Sequence, residues 1–205
     1  MPTIRPYRDV NEHDVINLFT YNPTGTYPAL KGQFVKIISG WTYEQNLDLI
    51  GDVGYHYNNV VSQRYGLEPY VAQCTNSGDA AIGLTLYDVR EVDENGERLV
   101  FHPSKQAQMN AVLSGQAVPI AFRGTFLYSG VDGFAVGGSG TSLPGQLYSG
   151  LAGAPAYLNN DGGVTTSGTK YGFTGLGTPA TRVGTFLGPV AGNGWVLLRV
   201  SIPGF

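Results

Sequence analysis

The sequence predicts a mainly β fold, a sandwich or barrel carrying one short helix. Three observations lead there. Short runs of β-branched and aromatic residues alternate with Gly, Asn, Asp and Pro turn signals along most of the 205 residues. Of the 30 glycines, 20 fall after residue 115, where strands are separated by little else. Only one stretch has the composition of a helix.

Taken in order, residues 1–30 hold four prolines (Pro2, Pro6, Pro23, Pro28) and read as an extended N-terminal arm. Within it, Asp9 or Asn11 is placed to cap a single helical turn containing Val15, Ile16, Leu18 and Phe19. Two readings stand for the arm: it docks its apolar residues on a partner, or it packs on its own domain. Residues 31–205 then form one β-rich domain. "GQFVKII" predicts a strand from Phe34 to Ile38, and "PYVAQC" another over 69–74. "AIGLTLYDVREV" predicts a longer strand over 81–92, bent at Gly83. In "VDENGERLVF" the Asn95-Gly96 pair marks a hairpin turn, since both residues tolerate positive φ. "PSKQAQMNAVLSG" predicts the helix, from Pro103 in its first turn to Gly115 as its cap, with Ala107, Ala111 and Val112 as an apolar stripe. "AVPIAFRGTFLYS" reads as a strand broken near Arg123-Gly124, followed by a Gly/Ser loop insert at 130–145. "PAYLNN", "GVTTS", "RVGTFLG" and "WVLLRVSI" supply the closing strands.

Composition bounds the function. The net charge is −3 with no basic block, so no nucleic-acid partner is expected. Residues 1–123 carry 9 of the 12 basic and 13 of the 15 acidic residues, which leaves the last third nearly uncharged. Charged residues make up only 13%, well below the roughly 25% of ordinary domains. A sparsely charged, Tyr- and Gly-rich surface suits a protein that works packed against other proteins. The start "MPTIRPYRDVNEHDV" has no apolar stretch of the signal-peptide kind, and no run of roughly 18 apolar residues occurs. A soluble protein made and used without Sec export, with no membrane partner, is expected. The single Cys74 excludes an intramolecular disulfide, and its alternating surroundings predict an inert core thiol.

The residues show little chemistry. His13, His56 and His102 have no ligand spacing, and no paired Cys exists, so no metal or other cofactor is expected. "GGSGTSLPG" lacks the Lys-Ser/Thr of a phosphate loop, and no Ser stands in a Gly-x-Ser-x-Gly turn. No Glu follows Glu97, and the later acids, Asp132 and Asp161, each stand beside glycine. We expect no enzyme and no catalytic residue. "AYLNNDGGVTT" (156–166) has the look of an acidic metal loop, but one carboxylate is too little charge to hold calcium. Hairpin chemistry accounts for it instead: strand formers on both flanks, and Asn, Asp and Gly at the tip.

The order of these pieces resembles the capsid decoration, or cement, proteins of tailed bacteriophages. The likeness runs over residues 30–203: "GQFVKI", "AIGLTL", a short helix leading into "LSGQAVPIAFRG", then "APAYLNNDGGVTT", "RVGTFLG" and "GWVLLRVSI". The stretch "RPYRDVNEHDVINLF" is similar to the N-terminal arms of the same proteins. The resemblance implies a glycine-rich β-barrel or β-tulip that binds the outer surface of the capsid shell in the virion. It implies the major capsid protein as partner and a homo-oligomer, with a trimer as its form. Synthesis would be in the bacterial host cytoplasm. For partner binding the arm offers Ile4, Tyr7, Val15, Leu18 and Phe19, each apolar anchor contributing on the order of 1.5–3 kcal/mol when buried. Two alternatives remain open: another phage structural component (tail, connector or fibre base), or a carbohydrate-binding β-sandwich using Trp41, Trp195 and some of the thirteen Tyr.

Overall fold

The computed structural model describes residues 3–7, 11–20, 30–39, 69–113, 116–129, 131, 152–166, 168, 180–190 and 195–202, and the account below concerns these. Trp41, His56, Gly115, Asp132 and the Gly/Ser insert lie outside them. The fold is mainly β. The strands are β1 (Thr3–Pro6), β2 (Val15–Thr20), β3 (Phe34–Ser39), β4 (Tyr70–Gln73), β5 (Gly83–Thr85), β6 (Asp88–Val89), β7 (Ala111–Val112), β8 (Ala117–Ala121), β9 (Arg123–Ser129), β10 (Pro155–Leu158), β11 (Val164–Thr165), β12 (Arg182–Val190) and β13 (Trp195–Ser201). One helix, α1 (Pro103–Gln108), follows a 3-10 turn at Leu99–Phe101.

Two assemblies of strands share the chain. Pairings in the order β2-β4-β3-β5-β8 close on themselves into a five-stranded ring, with β2 and β4 parallel and the other contacts antiparallel. The second is an open antiparallel sheet in the order β1-β9-β13-β12-β10-β11. The chain passes from ring to sheet at Phe122. Ala121 is the last residue of β8, opposite Val15 of β2, and Arg123 begins β9 opposite Ser201 of β13. This is the break expected near Arg123-Gly124.

Packing explains the apolar residues that begin β3 and run along β8. Val35, Val118 and Ile120 join Leu18, Val71, Val89 and Val112 in one core. Phe34, Leu84 and Ala121 face the other way, into a larger core with Phe126, Tyr128, Leu158, Phe186 and Leu198 of the sheet. A strand buried on both faces loses the polar alternation of a half-exposed one. Gly83 is needed where β5 meets β8, because a Cβ there would stand 2.5 Å from Ile120 Cγ2 and 2.7 Å from the Ala121 carbonyl oxygen.

Three expectations change. The apolar residues after Asn11 do not form a helical turn. Asn11 caps only a 3-10 turn, Glu12–Asp14, and Val15–Thr20 is a strand because β8 and β4 offer edges on both sides of it. The helix ends at Gln108, not Gly115: Asn110 turns to φ +48°, and Ala111-Val112 leave as β7, buried and paired in parallel with β6. The long strand over 81–92 is two short ones that serve different sheets. Residues 3–6 and 15–20 of the expected arm are integral strands of the body: β1 pairs with β9, and β2 is a stave of the ring.

Candidate functional site

The hairpin tip 159–163 rests on the protein's own ring. Asn159 Oδ1 accepts from the backbone N–H groups of Asp161 (2.8 Å) and Gly163 (2.7 Å), forming the turn. The Gly162 carbonyl accepts from the Phe34 N–H at 2.7 Å, and the Asp161 carbonyl from Gln73 Nε2 at 2.6 Å. Asn160 Oδ1 accepts from the Ser77 N–H at 3.0 Å. Asp161 takes part through its backbone N–H and carbonyl and is itself an exposed residue. The tip is therefore a clasp between sheet and ring. Among the described residues, no three or more His, Cys, Asp or Glu side chains come together.

Cys74 is fully buried beside the clasp, and burial pushes its thiol up to about 12, with the nearby Asp79 carboxylate adding to the effect and Lys36 opposing it. A thiol held there is not a nucleophile at neutral pH. Asp79 ties the 75–79 turn, accepting from the Thr75 and Asn76 N–H groups and from Lys36 Nζ at 2.9 Å. Burial works to raise its carboxyl, but Lys36 and the two N–H groups outweigh burial and hold it below its ordinary value.

The five arm residues do not share one surface. Ile4, Leu18 and Phe19 are buried in the protein's own cores, with Phe19 set edge-on to Tyr70 at 6.4 Å. Val15 is half-buried against the large core. Only Tyr7 remains exposed, at 55%. The two sheets consume the side chains that the sequence offered for binding elsewhere. This corrects Ile4, Leu18 and Phe19 as partner anchors.

The structure shows two other surfaces. The first is the tip formed by the 92–98 turn and the 3-10 turn after it. Buried Asp93 accepts from the Asn95 and Glu97 N–H groups, each at 2.8 Å, and from Lys105 Nζ, which also reaches Glu97 at 3.0 Å. The Lys105 ammonium, with these N–H groups, draws the Asp93 carboxyl down to about 2. Asp93 in turn raises Lys105 above its ordinary value. Leu99 roots the tip in a small core with Ala111 and Leu113. Held out by this framework are Val92, Val100 and Phe101, exposed at 41%, 46% and 73%. Phe101 and the two valines make this turn an exposed apolar part of the surface. The available sequence signal was position: Phe101 lies between a turn and a Pro-initiated helix.

The second surface is the outer face of the six-stranded sheet. Its strands contain four arginines, Arg5, Arg123, Arg182 and Arg199, and no Asp or Glu. Trp195 stands on this face half-buried, with the Arg5 guanidinium 5.2 Å over its ring. A ring already covered by a guanidinium is poorly placed to stack on a sugar.

Fold and surfaces together define a mainly β protein with an exposed apolar tip and an arginine-bearing sheet face. Compared with known proteins, the chain matches no family model, no curated protein and no solved structure.

Proposed function

We propose that the chain is a structural virion protein: a capsid decoration, or cement, protein that binds the outer surface of a phage capsid shell and stabilises it without catalysing a reaction. Its partners in this reading are the major capsid protein and further copies of itself. The reading is supported by the order of strand and turn segments over residues 30–203 and by the low charge of the chain. The observation that carries it is the tip at Val92, Val100 and Phe101, an apolar cluster presented to solvent by a turn pinned through Asp93 and Lys105. Cement needs such a feature and no active site. A decoration protein works by bridging neighbours, and an exposed aromatic seated in a pocket of the partner is a common way to gain affinity.

The test is co-sedimentation with purified expanded heads of the phage that encodes the chain, using wild type and Phe101→Ser. Covering Phe101 contributes about 1–2 kcal/mol after allowing for its partial burial already, so Phe101→Ser is expected to weaken binding roughly 5- to 30-fold. Wild-type protein that stays in the supernatant overturns the cement reading. Wild-type binding that Phe101→Ser leaves unchanged overturns the tip as its contact.

A further inference from the structure

We infer that the outer face of the six-stranded sheet is a docking surface for an acidic protein surface, whose carboxylates enter a groove between Arg182 and Arg199. The groove encloses about 410 Å³ and is lined by Arg182, Gly184, Thr185, Leu187, Arg199 and Ser201. Strand register builds it. Thr185 of β12 lies opposite Arg199 of β13, and Ser201 of β13 lies opposite Arg123 of β9. Alternation along β13 buries Val196, Leu198 and Val200 and leaves Arg199 and Ser201 exposed. Four strands, β1, β9, β12 and β13, thus deliver their arginines to one face.

Among the described residues, Arg5, Arg182 and Arg199 form no ion pair with an acidic side chain. No Asp or Glu occurs in any of the six strands. The salt bridges found among the described residues use Lys36 and Lys105, not Arg5, Arg182 or Arg199. Arg182 is nevertheless held in place, its Nε donating to the Gly184 carbonyl at 3.3 Å and its Nη2 to Thr185 Oγ1 at 3.1 Å. A guanidinium fixed in this way has less conformational freedom to lose when a carboxylate arrives, and its fork matches two oxygens at once. The Thr185 and Ser201 hydroxyls add donors at the groove wall.

The pattern favours a polypeptide over a nucleic acid. Leu127 and Leu197 face each other across β9 and β13 in the middle of the face, and Leu187 is exposed beside the groove. Arginine set among apolar groups and rimmed by hydroxyls is the composition of a protein interface. A phosphate backbone calls for a continuous basic track, and a chain of net charge −3 repels a polyanion at long range. The inference rests on the cement reading only for which protein supplies the carboxylates.

The experiment is biolayer interferometry at low salt with immobilised poly-L-glutamate and, separately, single-stranded DNA. Wild type, Arg182→Ala/Arg199→Ala, Arg199→Ala alone and Lys31→Ala are compared, and expanded heads form a third arm. Arg199 is exposed and makes no hydrogen bond through its side chain to the described residues, so its single variant keeps the test valid if the double variant misfolds. Wild type is expected to bind poly-L-glutamate in a salt-sensitive way. The Arg182/Arg199 variant should bind about tenfold or more weakly, Arg199→Ala should fall between, and Lys31→Ala, which removes the same single charge as Arg199→Ala from outside this sheet, should bind as wild type. The inference is overturned by failure of wild type to bind, by equal loss in Arg199→Ala and Lys31→Ala, or by DNA binding as tight as that of poly-L-glutamate. Poly-L-glutamate binding through Arg182 and Arg199 without any binding to heads removes the cement reading and leaves this inference standing. Head binding that is indifferent to the arginines, with no poly-L-glutamate binding, does the reverse.

Discussion

Replacing Gly162 with Ala tests the clasp that joins the sheet to the ring. Gly162 has φ +68°, a conformation that costs an L-residue roughly 1–2 kcal/mol. A Cβ at this position would also stand 2.9 Å from Gln73 Cγ and 3.2 Å from the carbonyl oxygens of Cys74 and Phe34. The Gln73 side chain can retreat, but the two carbonyls belong to the backbone, Phe34 in β3 and Cys74 directly after β4. Relieving the crowding lengthens the bond from the Phe34 N–H to the Gly162 carbonyl, now 2.7 Å, and the one from Gln73 to the Asp161 carbonyl. Each such bond contributes about 1 kcal/mol. The expected destabilisation is about 2–4 kcal/mol, a fall in Tm of roughly 5–15 °C for a chain of this length. Gly153→Ala is the matched control, since Gly153 has φ +86° but nothing within 4 Å of its Cβ position. It carries the conformational cost alone. Urea denaturation of both variants, with hydrogen exchange at the Phe34 amide, separates the two contributions. If Gly162→Ala loses no more stability than Gly153→Ala and the Phe34 amide stays equally protected, the tip is not clasped to the ring and the reasoning fails.

Other outcomes follow from the same geometry. Asp93 has its carboxyl drawn from an unfolded value near 3.9 to about 2, so the stability it contributes is present above about pH 4 and is lost as pH falls toward 2. In Asp93→Asn the difference from wild type in urea midpoint should therefore shrink over that window, and a difference that stays constant would contradict the pairing with Lys105. Lys105 acts in the opposite sense: its contribution is present at neutral pH and is lost as pH rises through its raised folded value. Cys74, buried and raised to about 12, should resist thiol reagents at pH 8 in the native protein and react at once in denaturant; rapid native labelling would contradict its burial. Phe101→Ser should leave Tm within about 1 °C of wild type, because a residue 73% exposed contributes little to the fold; a large fall would mean that Phe101 is packing inside the structure.

Local chemistry made much of the fold legible. The strands at Phe34, Tyr70, Pro155, Arg182 and Trp195, the Asn95-Gly96 turn and the break after Ala121 each follow from side-chain type and turn residues within a few positions. What the sequence hid is non-local. Nothing in "VINLFT" says that β4, some fifty residues on, will pair with it in parallel, so β2 read as part of an arm that docks on a partner or packs on its own domain. The same blindness misplaced Ile4, Leu18 and Phe19, since an apolar side chain looks alike whether its cover is the protein's own sheet or a partner. Helix propensity over 103–115 lost to the demand of β6 for a neighbour and to the left-handed turn at Asn110. The arginine face escaped a search for basic blocks because Arg5, Arg123, Arg182 and Arg199 are scattered in sequence and meet only through strand register.

The most direct test of the central claim, that this chain is a structural protein of the capsid exterior, is its copy number on purified expanded heads at saturation, measured by quantitative mass spectrometry against the major capsid protein. The proposal requires saturable binding at a copy number that rises in proportion to the number of capsid subunits. A copy number matching the single tail vertex, or no retention on heads at all, would contradict it.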